Sequence, residues 1–274
     1  MSVVGLIHPG AMGASVGSAA THNKNRVLWA STGRSAESVE RASRGNLEDC
    51  RTVASMVEQS EVILSVCPPH AAEDVATEVM ENGFTGIYVE GNAIAPGRTR
   101  GIAERVQSGG AKFVDGGIIG GPAWEASAGT NFYLSGTDAQ TIADIFSGSP
   151  LQAHVISDEI GSASALKMVF AAYTKGTTAL LTAILAVAET EGVRANLENR
   201  WGEEFTNRTH NQVARNTAKA WRFEGEMREI AATFASAGFS GGFHEAAADT
   251  FSRLGGFKET PAETIDEVLA SLVK

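Results

Sequence analysis

The longest apolar run in the 274-residue chain extends from Ala165 to Ala188, and it constrains the fold more than any other stretch. Its side chains Leu166, Val169, Phe170, Tyr173, Thr177, Leu180, Leu181, Ile184 and Val187 recur at helical spacing. Gly161 and Ser162 before it and Gly192 after it bracket one helix of roughly 30 residues, about 45 Å long. A bilayer needs about 18 to 20 uncharged residues, and Lys167 and Lys175 break the run before that length is reached. The helix therefore reads as a core element that connects two bodies of structure.

Length and composition agree with two globular domains: 43% of the residues are apolar and 20% are charged. A formal charge of −10, without basic runs, argues against a nucleic-acid or anionic-membrane surface. Two cysteines, Cys50 and Cys67, are too few for a disulfide framework or a structural zinc site, and the chain opens on a strand-like segment with no signal-peptide pattern. A cytoplasmic protein is expected. No His, Cys or carboxylate cluster has metal-ligand spacing, so no metal is expected.

From Val3 to Ile7 the chain reads as a strand, followed by the turn His8-Pro9-Gly10-Ala11-Met12-Gly13 and a helix from Ala14 to Thr21. Glycines in such a turn let the backbone approach a pyrophosphate, with the helix N-terminus facing its charge. His8 stands where the first glycine of the dinucleotide fingerprint is expected, and a turn without a ligand fits this segment equally well. After the second strand, Arg26 to Ala30, comes Ser31-Thr32-Gly33-Arg34-Ser35 with no acid for a ribose 2′-hydroxyl. Ser31, Thr32, Arg34 and Ser35 suit a 2′-phosphate, which favours NADP over NAD. Ser35 also has the place of a helix cap.

Strands at Val62 to Val66, Ile87 to Glu90 and Phe113 to Asp115 alternate with helices at Arg51 to Gln59, Ala71 to Met80 and Arg98 to Val106. That alternation predicts a mostly parallel, doubly wound sheet, with ligands at the carboxyl ends of its strands. Cys67, Pro68, Pro69 and Asn92 then line the nicotinamide side, unless Asn92 only shapes a tight turn. The glycine-dense stretch from Asp115 to Gly121 reads as a loop that closely approaches a small ligand. A strand at Phe132 to Leu134, a helix at Asp138 to Phe146 and a strand at Gln152 to Ile156 complete this half.

Gly10-Ala11-Met12-Gly13, Asp115 to Gly121, and Gly161 with Lys167, in this order and approximate spacing, resemble the β-hydroxyacid dehydrogenase and 6-phosphogluconate dehydrogenase superfamily. The segment Arg215 to Arg222 is similar to an uncharacterised bacterial branch described only as phosphogluconate-dehydrogenase-like. The resemblance implies an α/β fold: an NADP-binding Rossmann domain over residues 1–160, then the long interdomain helix and an all-helical substrate and dimerisation domain over residues 161–274. It also implies a homodimer with its active site between the domains. Lys167, which by itself would read as a surface charge, matches the family's catalytic lysine. As general acid/base it would exchange the hydroxyl proton while hydride moves to or from the nicotinamide.

Substrate contacts are expected at Ile119, Gly120, Gly121 and Ala171. Two of these depart from the family pattern: Ile119 replaces a serine and Ala171 replaces an asparagine. Thr174 stands where the phosphogluconate enzymes carry a glutamate, which argues against decarboxylation. In the last third, helices are expected at Ala195 to Trp201, Thr206 to Ala232 and Phe243 to Leu254. Trp221, among arginines, suits an interface or a pocket wall. His244 is a second acid/base candidate or a structural histidine. The expected activity is NADP-dependent transfer of hydride to or from a small hydroxy acid or related alcohol or carbonyl. The alternatives are a biosynthetic imine or ketone reductase on the same scaffold, and a non-catalytic nucleotide-binding regulator.

Overall fold

Short apolar segments rich in β-branched residues form the strands of the first half, and in the computed structural model they join one eight-stranded sheet. The structure describes residues 1–258 and 260–273. Strands β1 (Val3–Leu6), β2 (Arg26–Trp29), β3 (Glu48–Asp49), β4 (Val62–Ser65), β5 (Ile87–Glu90), β6 (Lys112–Ile119), β7 (Asn131–Ser135) and β8 (Gln152–Ser157) take the spatial order β3-β2-β1-β4-β5-β6-β7-β8. All neighbours are parallel except β6 and β7, where Gly117 lies opposite Tyr133 in an antiparallel pair.

Crossover helices cover both faces, as parallel connections require. Helices α1 (Ala11–Ala20), α2 (Ala36–Arg44) and α6 (Ala139–Ile145) bury Val16, Ala42 and Ile142 with Leu6, Leu64 and Phe132 on one side. On the other side α3 (Val53–Gln59), α4 (Ala72–Glu81) and α5 (Pro96–Ser108) bury Met56, Val75 and Ile102 with Ile63, Tyr88 and Phe113. Cover on both faces explains why β1, β4 and β5 read as largely apolar runs, whereas the edge strands β3 and β8 are mostly exposed.

The chain divides into two compact units, Met1–Lys167 and Met168–Lys274. The second consists of helices: α8 (Thr177–Thr190), α9 (Arg194–Trp201), α10 (Glu203–Thr217), α11 (Ala220–Ser236), α12 (Gly242–Arg253) and α13 (Ile265–Leu272). Helix α7 (Ser162–Ala171) runs across the boundary and continues through a π-helical turn, Ala172–Gly176, into α8. The helical stretch from Ser162 to Thr190 has 29 residues, and its length and hydropathy alone would allow a membrane crossing.

Three expectations change. The glycine-dense stretch after Asp115 is not a loop from its start, because β6 continues through Gly116 and Gly117 to Ile119. Pairing with β7 supplies the ladder that glycine propensity would not predict. The helix expected over Thr206 to Ala232 is two helices, with Ala218 and Lys219 between them. Thr217 ends the first: its hydroxyl donates to the Ala214 carbonyl and accepts the Ala262 N–H, so a distant segment sets the break. The single long helix carries a π turn, a form often found where function disturbs regular geometry.

Candidate active site

The turn between β1 and α1 has two glycines with different reasons to be glycine. A Cβ at Gly13 would stand 2.1 Å from the His8 carbonyl oxygen, so no side chain fits there. A Cβ at Gly10 would meet nothing within 4 Å, so its missing side chain leaves open space before the helix. No side chain caps α1 and its first turn carries no acid, so its leading N–H groups face that space unmatched. Open backbone, a helix N-terminus and close glycine packing fit a dinucleotide pyrophosphate. His8, Pro9, Gly10, Ala11, Met12 and Gly13 would surround it.

Two arginines converge on this turn. Burial, with Arg34 nearby, pushes the His8 imidazole down to about 4, so it is neutral at physiological pH. His8 Nδ1 and Arg34 Nε are both buried without a hydrogen-bond partner. Arg41, which the sequence reading overlooked, donates from Nε to the Pro9 carbonyl at 3.0 Å and from Nη2 to Ser38 Oγ at 3.2 Å. Ser35 caps α2 by accepting the Ser38 N–H. The acid missing after β2 is supplied from β3: Ser31 Oγ donates to Asp49 Oδ2 at 2.8 Å, and Arg51 N–H donates to Oδ1 at 2.8 Å. Thr32 is anchored through its N–H to the Arg51 carbonyl.

At the carboxyl ends of β4 and β5, Asn92 is a tie between loops. Its Oδ1 accepts the Cys67 N–H at 2.5 Å, and its Nδ2 donates to Ser65 Oγ at 3.1 Å. Glu90 Oε1 in turn accepts the Asn92 N–H at 3.0 Å. Glu90 is fully buried with Oε2 unpartnered, and desolvation raises its carboxyl to about 8, so its neutral form prevails at pH 7. Burial and the neighbouring Glu90 push the Cys67 thiol up to about 12, which leaves it inert as a nucleophile. Pro68 and Pro69 shape the turn, and the Pro69 carbonyl accepts from Arg98.

The candidate catalytic lysine is positioned by a buried carboxylate. Asp115, at the middle of β6, accepts from the Gly161 and Ser164 N–H groups and from Ser135 Oγ, each at 3.0 Å, and from Ser164 Oγ at 2.5 Å. One acid from the sheet thus does the work of a cap for α7 and fixes its first turn. Gly117 lets that turn press onto β6, because a Cβ there would lie 2.6 Å from the Ala163 carbonyl oxygen and 3.2 Å from Lys167 Cβ. Lys167 Nζ then donates to the Ile118 carbonyl at 2.6 Å, beside Ile119.

Beyond Ile119, Gly120 adopts φ +135° against Thr130, whose hydroxyl donates to the Gly121 carbonyl at 2.7 Å. The same loop reaches α1, since the Ala123 N–H donates to Ser15 Oγ at 2.9 Å. The first unit therefore brings together the glycine turn and the Ile119–Gly121 segment. Ser135 and Ser164 were absent from the sequence-based candidates and Asp115 entered only as the start of the glycine-dense stretch, because no local pattern marks a helix cap that comes from a strand 49 residues away.

Other expected residues lie in the second unit. Ala171 is buried, and Trp221 is 45% exposed, with Lys258 Nζ 4.5 Å and the Arg222 guanidinium 5.8 Å from its ring. His244 is buried against Phe234 and Phe243, and burial lowers its pKa. Its Nδ1 has no partner. The π turn directs Lys175 Nζ onto Glu226 Oε2 at 2.7 Å, over the Phe223 ring. Among the described residues no group of three or more His, Cys, Asp or Glu side chains could hold a metal ion.

Residues 2–147 match the NAD binding domain of 6-phosphogluconate dehydrogenase, and residues 188–254 match a domain of unknown function, DUF1932. An uncharacterised 28.5 kDa protein of Methanothermus fervidus is 27% identical over 213 residues, covering 76% of this chain and 81% of that one. A conserved hypothetical protein of Sinorhizobium meliloti shares the fold at TM-score 0.73 and 21% identity, over 99% of this chain and 96% of that one. The 3-hydroxyisobutyrate dehydrogenase of Mycobacterium tuberculosis does so at 0.71 and 15%, over 99% of both chains. A reductive aminase of Aspergillus terreus, solved with NADPH and ethyl levulinate, aligns at 0.57 and 15%, also over 99% of both chains. The family match over the glycine turn and sheet, on the fold that the hydroxyacid dehydrogenases share, makes this chain a member of the β-hydroxyacid and 6-phosphogluconate dehydrogenase superfamily, a nicotinamide-dinucleotide-dependent oxidoreductase.

Proposed function

We propose that this chain moves hydride between NADP and a small hydroxy acid or related alcohol or carbonyl, with Lys167 as general acid/base and without decarboxylation. The observation that carries the reading is the placement of Lys167, held at the end of β6 by the Asp115 network and its bond to the Ile118 carbonyl. The nicotinamide, when bound, gives or takes the hydride. The chain's own part is the proton: Lys167 Nζ takes it from a substrate hydroxyl in oxidation and returns it to the carbonyl oxygen in reduction. Thr174 donates its hydroxyl to the Phe170 and Ala171 carbonyls, and it has no carboxylate to assist loss of CO₂. Lys167→Met should lower kcat by about 10²–10⁴ while cofactor binding persists. An unchanged kcat in a variant that binds cofactor would overturn this role.

The choice of NADP rests on Arg34 and Arg41 at the glycine turn, with Ser31, Thr32 and Ser35 as hydroxyl donors. Asp49 is the group that favours NAD, but Ser31 and Arg51 already engage its two oxygens. NADP should raise the unfolding midpoint more than NAD, and Arg34→Gln should erase the difference. Equal shifts in the parent protein would count against it.

A reductase acting on an imine or ketone is the second reading. It is favoured by Ile119 beside the lysine and by Ala171, two apolar residues where hydroxyacid members present polar contacts. A substrate screen in the reducing direction separates the two. The same proposal includes a small-molecule substrate, a cytoplasmic setting that keeps the free thiols of Cys50 and Cys67 reduced, and a homodimer. Leu180 and Val187, exposed on α8, supply an apolar face for a second copy. Light scattering at working concentration reads the dimer directly.

A further inference from the structure

Helix α10 presents one face made only of cations and amides. Arg208, Asn211, Gln212, Arg215 and Asn216, with Lys219 just past the end of the helix, line a cavity of about 550 Å³, and the spacing of three, four, seven and eight residues from Arg208 keeps the five helical residues on a single stripe. A net charge of −10 makes this concentration unusual for the chain. Elsewhere in the second unit Lys175, Arg194, Arg228 and Arg253 each hold a carboxylate, whereas Arg200, Arg222 and Lys258 hold none among the described residues. Arg208, Arg215 and Lys219 hold none among the described residues and share one cavity, although Glu204 stands four residues before Arg208.

The amides are held in place beneath the cations. Gln212 Nε2 donates to Thr178 Oγ1 at 2.7 Å, and Asn216 Nδ2 donates to the Gln212 carbonyl at 2.8 Å. Thr178 is buried on α8, so the floor of the cavity is fixed before any ligand arrives. At about 1.5 Å per residue, Arg208 lies about 10 Å along the helix from Arg215, and Lys219 follows in the link past Thr217. Cations spread over that length suit two anionic groups better than one.

The geometry points to a binding site on α10 for a small molecule with two acidic groups separated by several bonds, phosphate or carboxylate at each end. Arg215 and Lys219 take one group, and Arg208 takes the other. Two guanidinium groups and an ammonium, with no carboxylate in the lining, favour anionic oxygens, and the amides can add donors. The assignment rests on the second unit's own residues, so it stands whether or not the proposed hydride transfer is correct.

Calorimetry on the full chain tests it, with inorganic phosphate and 1,6-hexanediol bisphosphate as probes. The bisphosphate should bind at least about tenfold more tightly than phosphate, and added salt should weaken it. Arg208→Gln/Arg215→Gln, both at exposed positions, should lose most of that affinity and keep its circular dichroism and its NADPH binding. Weakened NADPH binding in that variant, at unchanged fold, would instead place the cofactor here and overturn the assignment. So would heat signals absent for both probes, equal affinities for the two, or an altered oligomeric state in the double variant. An acidic substrate as the source predicts a raised KM at constant kcat in the variant. A free anion as the source predicts an unchanged KM, with the bisphosphate bound alongside substrate.

Discussion

Asp115 on β6 accepts the Ser164 hydroxyl at 2.5 Å, and through this contact a strand sets the first turn of the helix that carries Lys167. The carboxylate is fully buried, and its donors come from Ser135, Gly161 and Ser164. Asp115→Asn places an N–H₂ group among donors and leaves at least one of them unmatched. A loss of about 2–4 kcal/mol in urea-induced unfolding is expected, together with reduced kcat. A variant as stable as the parent would remove the capping account.

The glycines should separate cleanly on substitution. Gly10→Ala has room, so it should fold with near-parental stability and bind cofactor more weakly, because its methyl enters the space before α1. Gly13→Ala collides with the His8 carbonyl, and Gly117→Ala collides with that of Ala163. Each should cost about 1–3 kcal/mol or more by thermal unfolding. Gly10→Ala with unaltered cofactor affinity would contradict the assignment of that space.

Glu90 gives a stability profile with a defined sign. Its carboxyl is raised from 4.5 to about 8 in the fold, so between these values the unfolded chain releases a proton that the folded chain keeps. Stability therefore falls as pH rises through that window. Glu90→Gln retains an oxygen for the Asn92 N–H and cannot ionise. Its unfolding midpoint, measured against pH, should gain on the parent from pH 5 to pH 8. Parallel curves would show that Glu90 does not titrate as described.

His8 works in the opposite direction. Its imidazole is lowered from 6.5 to about 4, so the unfolded chain binds a proton in that interval and the folded chain does not. The stability contributed is present above pH 6.5 and is lost as pH falls toward 4. His8→Asn should flatten this part of the difference curve, read by circular dichroism at fixed urea.

Lys175 and Glu226 form an ion pair with each side chain only 15% exposed. Removing one partner strands a charge, whereas removing both does not. Lys175→Met should destabilise by about 1–3 kcal/mol, and Lys175→Met with Glu226→Leu should recover much of that loss in denaturant titrations. Additive losses would mean that the pair is not coupled.

Local chemistry was enough to announce several parts of this protein. Val3 to Leu6 followed by Gly10 and Gly13 announces a strand, a turn and a helix, because close backbone packing admits only glycine at Gly13. Helical periodicity marks the long stretch after Gly161, and apolar strands alternating with helices announce a parallel sheet. Lys167 was legible only beside its motif partners, since a lysine within an apolar helix has no signature of its own.

Other features depend on residues that are distant in sequence. Asp49 reaches Ser31 because β3 pairs with β2, Arg41 reaches Pro9 because α2 folds back onto the turn, and Asp115 reaches Ser164 because β6 packs against α7. Thr217 ends α10 through Ala262, and Lys175 meets Glu226 by way of the π turn. Periodicity and turn propensity act over a few residues, and they fixed the elements and their order. Burial and hydrogen-bond satisfaction act across the folded chain, so only the tertiary structure decided which polar groups meet and where Lys167 points its amine.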